Sequence, residues 1–275
     1  MRLASRFGSN AHTIRTDAPL TDDQIREVAP SIFAETAHES RSERYTYIPT
    51  ADVLAGLRKE GFQPFMACQT KVRNSDKREH TKHMLRLRHA SQINGKEANE
   101  IILLNSHDGS SSYQMMSGVY RFVCSNGMVC GETLNDIRVP HKGDVVGRVI
   151  EGAFSVLESF EKADEQRDAM QLLTLNPGEQ QAFARAALTL RYDDPLIPAP
   201  ITEDQILRAR RRDDLKDDLW TTFNRVQENI IKGDLRGRTA TGKAMRTRPV
   251  TGIDQNVKLN RALWVLSEEM RKLKG

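Results

Sequence analysis

Cysteine is nearly missing from this chain: there are three in 275 residues, Cys68, Cys124 and Cys130. An odd and small number cannot build a fully paired disulfide framework, so reduced, mostly buried thiols are expected. Aromatic residues are sparse as well, at 6%. No apolar run approaches membrane-spanning length, and residues 1–20 contain no apolar core of signal-peptide length, so a cytoplasmic protein is expected. A phosphate-cradling Walker loop is absent too, because no glycine-rich turn precedes a Gly-Lys-Ser/Thr at a strand–helix junction. No internal repeat is visible.

What the chain does have is charge. Charged residues make up 28% and apolar residues 38%, and 41 Lys and Arg against 37 Asp and Glu leave a net charge of +4. That balance suits a soluble, helix-rich globular protein, and the length lies between one large domain and two moderate ones. So mild an excess says little as an average. Where it clusters matters more.

Residues 1–40 read as an N-terminal arm and short helices, the first opened by a capping box at Thr21-Asp22-Asp23-Gln24 and interrupted by Pro30. Residues 41–143 read as an α+β sheet domain. In it Thr50 caps a helix over 51–59 whose apolar stripe is Val53, Leu54 and Leu57, with Gly61 just past its end. Residues 66–73, 84–89, 101–104 and 119–124 carry strand patterns. Within 84–89 the alternation puts Arg86 and Arg88 on one face, Leu85 and Leu87 on the other. From 144 to 275 the spacing turns helical: a long helix through 173, and a second started by Asn176-Pro177. A third segment opens at the Thr202–Gln205 capping box, with a stripe from Leu215 to Ile231, and Asp254 caps the last helix. The expected fold class is α+β, an N-terminal antiparallel β-sheet with helices followed by a mostly α-helical C-terminal half, packed on the sheet as one unit.

The stretch 99–132 joins two buried strands through a polar loop at 105–112 and continues into a turn at Ser125-Asn126-Gly127. His107 and Asp108 are residue types for acid–base work, but neighbours in a strand face opposite ways, and Asp108-Gly109 reads better as a bend. His80-x-x-His83 has the spacing of a helical metal pair without a second tight pair to complete it. We assign no catalytic residue, metal or cofactor.

The most one-sided stretch is 232–248, KGDLRGRTATGKAMRTR. Lys232, Arg236, Arg238, Lys243, Arg246 and Arg248 supply six positive charges against Asp234 alone, interleaved with glycine and threonine. Backbone amides, hydroxyls and guanidinium groups in a loop are the chemistry that meets phosphates, although a merely solvated loop has the same composition. A second cluster lies in 71–96, with Lys71, Arg73, Arg86 and Arg88 on a strand–loop–strand unit. Basic strand faces with few aromatics suit a nucleic-acid backbone better than base stacking, and the plainer reading is a charged edge hairpin. The run Arg208 to Arg212 is followed by Asp213, Asp214, Asp217 and Asp218, which neutralise it.

Three segments carry a resemblance. Asn105-Ser-His-Asp-Gly-Ser110, then Tyr120-Arg-Phe-Val-Cys-Ser-Asn-Gly-Met128, and Arg246-Thr-Arg-Pro-Val-Thr-Gly-Ile-Asp254 followed by Asn256 and Leu259-Asn-Arg-Ala-Leu-Trp264 resemble the phage/plasmid-like proteins of the domain-of-unknown-function 932 family. The resemblance spans roughly residue 40 to the end. It implies a cytoplasmic protein of prophages and conjugative plasmids, a setting in which basic accessory proteins handle nucleic acid or counter host defences. It supplies no catalytic residues. By architecture alone, a β-rich core with basic helices also suggests Rad52-like strand annealing.

The expected function is DNA binding, with single-stranded DNA favoured, in recombination or replication of a mobile element. Arg236, Arg238, Lys243, Arg246 and Arg248 are the expected phosphate contacts, helped by Lys71, Arg73, Arg86 and Arg88. A homo-oligomer is expected where strands are annealed, and no membrane partner. The alternatives are a metal-dependent nuclease near His107 and Asp108, or an anti-defence interaction protein.

Overall fold

The computed structural model describes residues 11–41, 47–72, 75–90, 97–122, 126–130, 137–138, 145–194 and 196–274. Arg73, Cys124 and Ser125, singled out above, lie outside the described residues. The chain divides into two compact units, 1–129 with 133–160, and 130–132 with 161–275. The division falls inside the long helix rather than ahead of it at 143/144.

The first unit is built on a curled antiparallel sheet. β1 (Ala11–Arg15), β2 (Phe62–Thr70), β3 (His83–His89), β4 (Glu97–Asn105), β5 (Gln114–Arg121) and β6 (Asn126–Val129) follow one another in sequence order, and β7 (Ile137–Arg138) pairs with β5. Strand β1 corrects the expectation of an arm: Ala11 pairs with Thr70 and Arg15 with Met66. One face of the sheet, with Ala67, Leu85, Leu87, Ile101, Leu103 and Met115, packs on helices. These are α1 (Asp22–Val28), a single 3-10 turn at Pro30–Phe33, α2 (Thr50–Lys59) and the first part of α3 (Val145–Leu172). The capping box at Thr21 and Gln24 forms as expected. Thr50 does not cap. It is the first residue of α2, Pro49 holds the cap position, and the Thr50 hydroxyl is bonded elsewhere.

Met66, Cys68, Met84, Arg86, Arg88, Ile102 and Tyr120 project to the opposite, concave face, and they are buried as well. The curl accounts for this. It brings the Arg15 guanidinium of β1 to 5.0 Å from the ring of Tyr120 in β5, so strands far apart in the meander close over one interior.

The second unit is helical. The end of α3 is followed by α4 (Pro177–Arg191), α5 (Glu203–Leu207), α6 (Leu219–Lys232), a two-stranded hairpin of β8 (Arg236–Arg238) and β9 (Ala244–Arg246), and α7 (Ile253–Lys274). Asn176 caps α4 as expected and its box with Glu179 closes, while at Thr202 the Gln205 Oε1 accepts from the Thr202 amide at 3.0 Å. The third helical segment is broken, with only a 3-10 turn (Arg212–Asp214) between α5 and α6, and Leu215 is exposed rather than part of the stripe. Asp218 caps α6 by accepting from the Thr221 amide. Trp220 and Phe223 of α6 stack at 5.5 Å, and Trp264 of α7 meets both edge to face at 6.2 and 6.0 Å, all three rings buried. In this α+β protein the N-terminal sheet and the helical C-terminal half are as expected.

Candidate nucleic-acid interface

The basic stretch 232–248 is an ordered hairpin, not an irregular loop. Arg236 pairs with Arg246, Gly237 with Met245 and Arg238 with Ala244. Because side chains alternate along a strand, Arg236, Arg238 and Arg246 share one face, and all three are exposed. Lys243 at the turn and Arg248 beyond β9 are exposed too. Arg236 and Arg246 stand directly opposite each other. Like charges in that position repel, while within the hairpin Arg246 pairs with Asp234 and Arg238 Nη1 donates to the Gly242 carbonyl at 3.0 Å.

Neighbouring residues of the same unit hold this face in place. The Arg238 amide donates to the Pro200 carbonyl at 2.9 Å, and Gln205 Nε2 donates to the Arg236 carbonyl at 2.7 Å. Gly237 lies against that same Pro200 carbonyl, where a Cβ would come within 2.2 Å of the oxygen. At the base, Arg210 bridges Asn229 Oδ1 and the Gly233 carbonyl. Asn229 in turn donates to the carbonyls of Ile206 and Arg208. Lys232 belongs to this scaffold, because its ammonium lies 2.8 Å from the buried carboxylate of Glu228, which also takes Arg211 at 2.6 Å. Burial alone would raise the Glu228 pKa, but the hydrogen bonds from Arg211 and Lys232 bring it below the ordinary value. Arg211 also pairs with Asp214, so the run 208–212 is neutralised in part, as its composition suggests.

The sheet arginines do something else, and the expectation for them needs correcting. Arg86 and Arg88 are 3% and 0% exposed and cannot present their guanidinium groups to a polyanion. Arg88 sits directly across from Glu100 in β4, and both arginines bond its carboxylate, Arg86 at 3.0 Å and Arg88 at 2.8 Å. The Arg88 guanidinium also lies 3.8 Å from the Tyr120 ring centroid and 4.4 Å from that of Phe65. Arg86 donates to the Met128 carbonyl and covers Gly127, where any Cβ would overlap it. Gly127 is therefore a β6 residue that makes room for Arg86, not the bend expected at 125–127. Lys71, the other expected contact of this cluster among the described residues, is exposed just past β2. Together with Arg78 it lowers the pKa of His12, after burial.

Four of the seven histidines converge in the first unit, and local spacing had joined only two of them, His80 and His83. His38 and His80 lie edge to face at 5.3 Å, and the rings of His83 and His107 are tilted against each other at 5.1 Å. His83 Nδ1 is 2.9 Å from the Ser31 hydroxyl and its Nε2 is 3.0 Å from Thr50 Oγ1, which Asn105 Nδ2 also reaches. Burial, with His107 nearby, holds the His83 pKa down to about 3. Burial, with His80 nearby, holds His107 at about 4. Both rings are neutral near pH 7. Among the described residues no set of three or more His, Cys, Asp or Glu is placed to hold a metal ion. Asp108 Oδ1 accepts from the Ser110 amide within its own turn, and Gly109 takes φ 74°, so this segment is a bend. His107 is wholly buried.

A family model described as "Domain of unknown function (DUF932)" matches residues 37–264. Two curated relatives from Escherichia coli (strain K12), the UPF0380 proteins YfjQ and YafZ, are each 61% identical over 269 residues, covering 98% of this chain and 97% of each relative. No solved structure matches. No helix among the described residues is long and apolar enough to cross a membrane.

Proposed function

The chain belongs to the DUF932 family, and we propose that it binds nucleic acid, single-stranded DNA in the first place, through the arginine face of the 236–246 hairpin. The observation that carries this reading is the register of that hairpin: Arg236 opposite Arg246, Arg238 beside them, all exposed on one face. Like charges so placed repel each other, and a polyanion lying across them would bond both. Arginine suits the task because its planar fork meets phosphate oxygens two at a time.

The form of the hairpin favours a single strand. A free two-stranded ribbon can enter a major groove. Here the β8 edge is closed by Pro200 and Gln205, so the hairpin offers a shallow face and not a protruding arm. A flexible strand can be laid on such a face. With no aromatic residue in 232–248, the contacts are to phosphate rather than to stacked bases. Recombination or replication of mobile DNA, the setting the family resemblance implies, is where this activity would be used.

The test is a salt-titrated binding assay with labelled single- and double-stranded DNA. Binding that weakens steeply with salt, by about 0.7 log units per log unit of salt for each phosphate engaged on a single strand, is expected. No binding to either form at low salt overturns the reading.

A further inference from the structure

We infer that Asp234 is a built-in competitor of the nucleic-acid phosphate at Arg246, limiting how tightly the hairpin grips a backbone. This rests on the hairpin reading above. Asp234 is the one non-glycine residue with positive φ, 59°, among the described residues, and it follows Gly233 at φ 61°. Asp is among the few non-glycine residues that adopt this conformation readily. The conformation has a visible consequence. With its amide donating to the Thr247 carbonyl at 2.9 Å, the backbone turns the Asp234 carboxylate onto Arg246. Oδ1 accepts from Arg246 Nη1 at 2.6 Å, and the Asp234 carbonyl accepts from the same nitrogen at 3.2 Å.

Asp234 is the only acidic residue in 232–248, and it occupies one of the three arginines of the binding face. The pair is open to water, with side chains 54% and 74% exposed, so the bond is weak and exchangeable. A phosphate has the stronger claim on a guanidinium, through two-point, charge-assisted bonding. Both hydrogens of Nη1 are engaged by Asp234, one by the carboxylate and one by the carbonyl, so a phosphate that bonds this nitrogen displaces one of them. Once displaced, the carboxylate remains beside the face and repels the incoming backbone. Arg236, across the hairpin, has no such carboxylate on it among the described residues.

The test uses Asp234→Asn and Asp234→Gly in the full chain, with labelled oligodeoxythymidine as the probe. Both replacements tolerate positive φ, so the hairpin keeps its shape. Each is expected to bind about two- to fivefold tighter than the wild type at one salt concentration, the scale of an exposed pair. In an Arg246→Met background the same substitutions should give no gain. Unchanged or weaker binding in both variants, with wild-type binding intact, overturns the competitor role and leaves the hairpin reading standing. An equal gain in the Arg246→Met background also overturns it, since that gain would come from net charge alone. A wild type that binds nothing at low salt removes both.

Discussion

Two strands of this protein carry the same short pattern, Arg-x-Arg, and use it in opposite ways. In β3 it is Arg86-Leu87-Arg88; in β8 it is Arg236-Gly237-Arg238. Each places two guanidinium groups on one face. Opposite Arg88 stands Glu100, and opposite Arg236 stands Arg246. The intervening residue differs as well: Leu87 is buried in the core that α2 and α3 cover, while Gly237 lies against the Pro200 carbonyl. Spacing therefore decides which side chains share a face. The residue across the ladder and the one between decide whether that face turns inward to be neutralised or outward to be used.

The largest effect follows from removing the shared partner in the sheet. Glu100→Gln leaves two buried guanidinium groups without their carboxylate, and breaking a buried ion pair this way costs about 3–5 kcal/mol. Urea unfolding should show the midpoint fall accordingly. A loss below about 1 kcal/mol would mean that the aromatic rings of Phe65 and Tyr120 suffice for Arg88, and the contrast with the hairpin would lose its energetic content.

A second group of locked polar side chains responds to acid. His83 and His107 have folded-state pKa values of about 3 and 4 against 6.5 when unfolded. Below pH 6.5 the unfolded chain binds protons that the folded chain refuses, so stability present above pH 6.5 is lost as the pH falls toward those values. Each ring contributes on the order of 1 kcal/mol per pH unit, or about 2 kcal/mol from the pair at pH 5.5. Thermal midpoints measured between pH 7 and 5 should fall, and His83→Asn should flatten the slope. A profile as steep in that variant as in the wild type would remove His83 from the account.

The counterpart on the hairpin is Arg236, Arg238 and Arg246 all changed to Ala. Exposed side chains leave stability within about 0.5 kcal/mol, while the salt slope for single-stranded DNA should shrink by about 2. An unchanged slope would detach the hairpin from binding. A large loss of stability would mean that its arginines are structural, as those of β3 are.

Much of this was legible in the chain itself. The capping box at Thr21 and the cap at Asn176 formed because their bonds are local, and Gly61 ends α2 with φ 87° as its position suggests. Strands β2, β3 and β4 overlap the strand patterns at 66–73, 84–89 and 101–104, whereas β5 begins at Gln114, five residues ahead of the run expected at 119–124. What could not be read was non-local. Glu100 neutralises Arg88 only because β4 pairs with β3 in one register. His38, His80, His83 and His107 meet through the fold, and Thr50 gives its hydroxyl to them instead of to its own helix. The β8–β9 hairpin was hidden by composition, since glycine and arginine alternating with threonine read as loop until the cross-strand pairing is known.

The smallest effect gives the sharpest form of the comparison. Arg236→Glu would place a carboxylate opposite Arg246 and so copy in the hairpin the cross-strand arrangement that Arg88 and Glu100 have in the sheet. Replacing a like-charge pair by an opposite one should stabilise the hairpin by about 0.2–1 kcal/mol. It should also weaken DNA binding more than Arg236→Ala does, because a repulsive charge is added where an attractive one is lost. Denaturant midpoints and binding isotherms on the two variants measure both quantities. Opposite signs are the expected result: a hairpin that folds better and binds worse, because the like-charge pair is kept for its ligand. If Arg236→Glu destabilised the chain, the arginines would owe their places to contacts within the fold, and the distinction between the two Arg-x-Arg strands would fail.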